Sequence, residues 1–174
     1  MKKTVFLLVA TMLAFTTLYA QKQSDMFVSG TVSFTKTTDV DASYQLKPTI
    51  GYFVTNKLAV GVLGEVSKSS TEEVLNIGAF GRYHFLTVGK NCQVFSQLSL
   101  ANNSTTVAGV KTSGFGANLG LGSNYFVTKR LGLTMDLTNL ITYSNVDSKS
   151  TINIGFDGVV NPFAIPKFGV IYNF

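Results

Sequence analysis

Hydrophobic side chains fall at every second position through most of this chain, and short polar connectors separate the stretches that do so. A β-strand sends successive side chains to opposite faces, so this alternation predicts strands with one apolar side. Seven such segments cover Met26–Thr35, Ser43–Thr55, Leu58–Ser67, Val74–Phe85, Gln93–Ala101, Gly114–Val127 and Leu131–Tyr143, and an eighth ends the chain. The sixth alternates most cleanly: Phe115, Ala117, Leu119, Leu121, Tyr125 and Val127 against Gly114, Gly116, Asn118, Gly120, Gly122 and Asn124. The fifth is the weakest, because Ser96 interrupts Val94, Leu98 and Leu100. The last places Phe168, Val170, Tyr172 and Phe174 on one face, opposite Lys167, Gly169 and Asn173. No stretch sustains a helical period. The segments are near the roughly 9–11 residues that a tilted membrane-crossing strand needs. A terminal apolar strand is hazardous in water, where a bare edge templates aggregation, but not where it closes a barrel in lipid.

The connectors alternate in length. Thr55–Lys57, Leu86–Asn91 and Val127–Arg130 are short, whereas Lys36–Ala42, Lys68–Glu72, Asn102–Ser113 and Ser144–Ser150 are longer and rich in Ser, Thr, Asn and Asp. Short turns on one side and longer loops on the other are the pattern of an up-and-down membrane barrel. Gly51–Leu58 (GYFVTNKL) is echoed by Asn124–Leu131 (NYFVTKRL), and more loosely by Arg82–Leu86. Aromatics therefore gather at one end of the strands, and Tyr52, Phe53, Tyr83, Phe85, Tyr125, Phe126, Tyr172 and Phe174 form the expected interfacial girdle. Phe34, Tyr44, Phe115 and Tyr143 mark the other end. Pro48 falls within a strand and cannot donate to a ladder, which predicts a bulge. Thr151–Pro166, with Pro162 and Pro166, fits either a broken eighth strand or an ordered flap in the last loop.

Composition narrows the class. Met1-Lys2-Lys3, the apolar stretch Thr4–Leu18 and the small residue Ala20 predict a secretory signal peptide over residues 1–20. That leaves 21–174 as one domain, with the net charge lowered from +5 to +3 by loss of Lys2 and Lys3. Only 13% of the chain is charged and Lys and Arg do not cluster, so nucleic acid is not an expected partner. Cys92 is the single cysteine, which excludes an intramolecular disulfide. The mature part has no apolar run long enough for a helical span, so it must enter a membrane as strands.

The predicted inward face carries Lys47, Glu65, Arg82, His84, Gln97, Asn118, Asp136 and Lys167. Eight strands enclose a bore that side chains can fill. Charges shut away from water need partners, so Lys47 is expected near Glu65, and Arg82 near Glu65 or across the bore near Asp136. The resulting polar network would plug the barrel, and a gated ion path is the alternative. One His, one Cys and scattered carboxylates give no metal-ligand spacing, and neither a phosphate-cradling loop nor a nucleophile with its base is present. No cofactor, metal or catalytic residue is expected. His84 is placed near the rim, where interfacial hydrogen bonding suits it better than acid–base work.

The Gly51–Leu58 block, the Leu131–Leu137 strand and the Phe168–Phe174 terminus resemble the small OmpA/OmpX-type outer-membrane barrels, in particular versions common in Bacteroidetes-like bacteria. The resemblance covers nearly all of residues 21–174. It implies an all-β fold: an eight-stranded antiparallel up-and-down transmembrane barrel in the outer membrane, with both termini in the periplasm. It also implies that Val170, Tyr172 and Phe174 serve as the signal read by the barrel-assembly machinery. The expected partners are outer-membrane lipid and that machinery, with the chain acting as a monomer. Any extracellular contacts would fall to Thr37–Asp41, Ser67–Glu73, Asn102–Lys111 and Asn145–Ser150, which lack aromatic anchors. Three roles follow: a structural or surface-interaction barrel, a narrow porin-like channel, and a soluble lipocalin-like ligand carrier. The last would turn the Leu and Val rows inward, and alternation alone does not exclude that inversion.

Overall fold

The computed structural model describes residues 25–35, 43–69, 72–107, 109–146, 149–155 and 167–174. The expected signal peptide, the Thr37–Asp41 connector and residues 156–166 lie outside them. The strands are β1 (Met26–Thr35), β2 (Ser43–Phe53), β3 (Leu58–Lys68), β4 (Glu72–Val88), β5 (Cys92–Val107), β6 (Val110–Phe126), β7 (Leu131–Val146), β8 (Lys149–Ile154) and β9 (Lys167–Asn173). From β1 to β7 each pairs antiparallel with the next, and β9 joins β7 to β1, so the sheet closes. β8 lies along the upper part of β7 and β9 along its lower part. The eighth stave of the barrel is thus a strand in two pieces. The three short turns, Met26 and Phe174 share one end, called here the turn end; the other is the loop end.

Closure fixes a strong stagger. The register runs sideways from Phe27 through Gly51, Gly61, Phe80, Ser99 and Asn118 to Thr142, high on β7. In the other direction it passes through Asn173, whose backbone N–H donates to the Arg130 carbonyl at the foot of β7. A tilted, sheared sheet is what an eight-stranded barrel requires. The stagger decides which side chains share a level inside.

The apolar rows look outward. Leu58, Val60, Val62 and Val66 on β3, and Leu131, Leu133 and Leu137 on β7, are exposed; Leu119 and Leu121 on β6 are half-buried and outside the core. Exposed aliphatic positions continue around the wall with Val28, Ile50, Ile77, Leu98, Leu100 and Val170. A continuous apolar exterior is far beyond what a soluble monomer shows.

Three expectations about the strands need correction. Asn102–Ser113 is mostly ladder rather than loop, because Asn102–Val107 pairs with Val110–Phe115 and Gly109 turns the chain at φ 84°. The Ser144–Ser150 connector likewise continues as the β7–β8 ladder up to the Val146–Lys149 pair. Backbone pairing needs no apolar face, and Thr-rich segments suit a strand, so polar sequence carries β5–β7 well past the apolar belt. Pro48 makes no bulge: it pairs with Gly30 in unbroken register, and the β2–β3 ladder lacks pairs only between Leu46–Val66 and Thr49–Leu63.

The sequence echo is a repeated turn. The Thr55 hydroxyl accepts from the Leu58 N–H at 2.9 Å, and the Thr128 hydroxyl accepts from the Leu131 N–H at 2.9 Å. Backbone N–H groups of Thr55 and Thr128 donate in turn to the Leu58 and Leu131 carbonyls. A threonine that satisfies its own turn backbone gives both hairpins the same tight reversal.

Candidate functional site

The bore is the candidate site, and it has two unlike halves. Toward the turn end it is aromatic. Phe27 (β1), Phe53 (β2), Ala59 and Leu63 (β3), Phe80 (β4) and Ile171 (β9) form one buried cluster, with Phe126 of β6 packed against it. Ring centroids of Phe27 lie 5.5 Å from Phe53 and 6.3 Å from Phe80. Such tilted pairs add about 0.5–1.5 kcal/mol each beyond the area they bury.

Arg82 is set among these rings and is 3% exposed. Its guanidinium carbon is 4.1 Å from the Phe95 ring centroid, 5.1 Å from Phe27 and 5.4 Å from Phe80. The Arg82 Nε–H donates to the Gln97 Oε1 at 2.9 Å, and the Gln97 amide donates to the Ser99 Oγ at 3.3 Å. Neither ion pair found among the described residues involves Arg82, so the expected bridges to Glu65 and Asp136 are not made. Phenyl faces and an amide replace the carboxylate, because the stagger brings β1, β4 and β5 rings level with Arg82. Desolvated cation–π contacts of this kind are worth about 2 kcal/mol or more each.

His84 also departs from expectation. It is buried, with its ring 5.3 Å from Phe53 and 5.6 Å from Phe95, and neither ring nitrogen has a hydrogen-bond partner in the protein. It lies level with the β2–β3 turn, as a place near the rim requires, but its ring is a flat packing element inside the wall and makes no interfacial hydrogen bond.

The half nearer the loop end is polar. Lys47 Nζ on β2 reaches Asp136 Oδ2 on β7 at 3.4 Å, across the chord of the bore that skips β1 and β9. Lys167 sits beside Asp136 in the β7–β9 register. Glu65 accepts from the Gln45 amide and, at 3.3 Å, from the Asn76 amide. Lys47 therefore turns away from Glu65, its expected partner. Asn118 donates to the Thr142 hydroxyl at 3.1 Å. The structure thus groups Lys47, Asp136, Lys167, Glu65 and Asn118 with the upper bore, and Arg82, His84 and Gln97 with the lower. Among the described residues no three His, Cys, Asp or Glu side chains gather to hold a metal ion.

Six girdle candidates, Tyr52, Tyr83, Phe85, Tyr125, Tyr172 and Phe174, are exposed on the outer wall at the turn end. Tyr172 and Phe174 meet edge to face at 5.1 Å. Phe53 and Phe126 do not belong to the girdle: Phe53 is fully buried in the bore and Phe126 packs on the core from inside. Each follows a tyrosine, and neighbouring positions on a strand face opposite ways. The aromatic cluster in the bore is absent from the sequence expectations above. Its signal was Phe27, Phe53 and Phe80 standing in phase with the polar row.

No family model matches the sequence, and no curated protein matches it. Solved structures with this fold do. The N-terminal β-barrel domain of Pseudomonas aeruginosa OprF is 16% identical, with a TM-score of 0.59 over 88% of this chain and 98% of that one. Neisserial surface protein A (NspA) is 18% identical, with a TM-score of 0.58 over 86% and 96%. The outer membrane protein OprG from Pseudomonas aeruginosa is 15% identical, with a TM-score of 0.51 over 91% and 99%. At these identities the likeness is one of fold: a closed, antiparallel eight-stranded β-barrel, which is the architecture of this chain.

Proposed function

We propose that this chain is an integral outer-membrane β-barrel with a closed bore and a structural or surface-interaction role. One observation carries the proposal: the wall is apolar outside, while side chains from β1–β6 and β9 meet across the lower bore around Arg82. Lipid accepts the outer surface, and in this reading the packed rings close the middle. The fold likeness to OprG, an outer membrane protein, and to NspA, a surface protein, supports that location. In this reading the turn end faces the periplasm, and Val170, Tyr172 and Phe174 present the assembly signal. The chain works as a monomer, and its contacts outside the cell fall to the hairpins of the loop end. In this reading Arg82 and His84 serve packing, set on phenyl faces instead of opening on a cleft.

The half-wet charges of the upper bore favour a second reading, a narrow ion path entered past Lys47, Asp136 and Lys167. Single-channel recording of refolded protein in planar bilayers separates the two. Silence is the expected result. Reproducible conductance that shifts with Arg82→Ala or Glu65→Gln would replace the closed-bore reading with the channel. Stable solubility without detergent would overturn the membrane location itself.

A further inference from the structure

The three turns carry four cations and no carboxylate: Lys57 in the β2–β3 turn, Lys90 in the β4–β5 turn, and Lys129 and Arg130 in the β6–β7 turn. All four are exposed, and no ion pair among the described residues engages any of them. Asp25, beside β1, is the one side-chain carboxylate at this end among the described residues. The loop end is mixed by contrast, with Lys68 paired to Glu73, and Glu72, Lys111 and Lys149 nearby.

The height of the cations is fixed by backbone. The Lys57 carbonyl accepts from the His84 N–H at 2.8 Å, the Asn91 carbonyl from Phe126, and the Arg130 carbonyl from Asn173. Each turn is therefore bonded to the neighbouring strand and does not swing free. On the outer wall beside these turns stand Tyr52, Tyr83, Tyr125 and Tyr172. Their registers show how close: Leu58, next to Lys57, faces Tyr83, and Leu131, next to Arg130, faces Tyr172. Aromatic rings of this kind settle at headgroup level. Cations one step further from the apolar belt then lie at the phosphates.

We infer that the turn end is a docking ring for anionic phospholipid headgroups of the adjoining leaflet. The inference rests on the membrane reading above and adds a lipid class to it. Charge complementarity selects the phosphate-bearing, net-negative lipids, and the ring shape spreads the contact over three turns instead of one pocket. Basic residues near a membrane surface each strengthen attachment to anionic lipid, and salt screens the effect.

The test uses the full mature chain refolded into phosphatidylcholine vesicles containing a trace of spin-labelled phosphatidylglycerol or spin-labelled phosphatidylcholine. The fraction of label immobilised at the protein gives relative affinity. The expected result is a preference for phosphatidylglycerol of about threefold or more at low salt, collapsing toward parity in 1 M salt. The combined variant Lys57→Gln, Lys90→Gln, Lys129→Gln, Arg130→Gln should lose the preference while still inserting. The loop-end variant Lys68→Gln, Lys111→Gln, Lys149→Gln should keep it. Parity in the unmodified protein, or a preference that survives the turn substitutions, overturns the docking ring and leaves the membrane barrel standing. Parity together with capture of a soluble acidic protein would assign the cations to that partner instead. Failure to insert into any vesicle overturns the membrane reading and this inference with it.

Discussion

The two halves of the bore solve one problem in opposite ways. Below, a single cation is stripped of water and held by three aromatic faces and one amide. Above, two lysines and two carboxylates remain partly wet, with one ion pair across the lumen, amide hydrogen bonds to Glu65 from the neighbouring strands, and Lys167 beside Asp136 in register. Burial makes the lower arrangement strong and unforgiving, because the rings run in one packed chain from Phe80 through Phe27, Phe53 and His84 to Phe95, with Arg82 against three of them. Access to solvent makes the upper one weak and adjustable, since water competes for every contact. The contrast teaches that the lower bore is held by packing and the upper by charge, so the closed-bore proposal stands on the rings and not on the ion pair.

The comparison is broken most directly at Phe95, which contacts both Arg82 and His84. Phe95→Ala should cost about 3–5 kcal/mol, as buried phenylalanine truncations do. Urea unfolding in vesicles measures it, and a loss under about 1 kcal/mol would mean that the lower bore is not tightly packed. A smaller effect is expected one strand away, where Gly122 lies beneath the Phe95 ring. A methyl there would strike the ring and come within 2.8 Å of the Met135 carbonyl oxygen. Gly122→Ala should cost about 1–3 kcal/mol by overpacking. In the double variant with Phe95→Ala the two losses should sum to less than their separate values, since the ring that clashes is gone. The smallest effect belongs to the upper bore. Lys47→Met should cost no more than about 1 kcal/mol and become undetectable in high salt, in the same urea assay. A loss equal to that of Phe95→Ala would erase the distinction between the halves.

What could be read from the chain follows the physics of a strand. Period two sorts side chains into two faces without knowledge of the fold, so the Leu and Val rows stand apart from Arg82, His84 and Asp136 in the sequence, and the aromatic strand ends, not the period, point to the apolar face as the outer one. The same rule should have removed Phe53 and Phe126 from the girdle, because each adjoins a tyrosine already assigned to the outside. Partner choice within the bore was not legible. It depends on stagger, which brings Lys47 to Asp136 from three strands away and leaves Arg82 among rings. Hairpin height was hidden for another reason. The Asn102–Val107 ladder is held by backbone bonds, and its polar side chains carry no mark that separates strand from loop.

The seam between β1 and β9 is short: six pairs, Phe27–Asn173 to Val32–Phe168, beside the long ladders of β4–β7. One pair from its upper end, Gly169 lets two backbones approach where any side chain would run into the Gly30 carbonyl. These two strands come from opposite ends of the chain, so every hairpin between them can zip up locally before they meet. A clasp no longer than the six pairs that join β9 to β7 closes the cylinder. Until that seam forms, β1 and β9 each present a row of unpaired backbone groups, the kind of edge that templates aggregation.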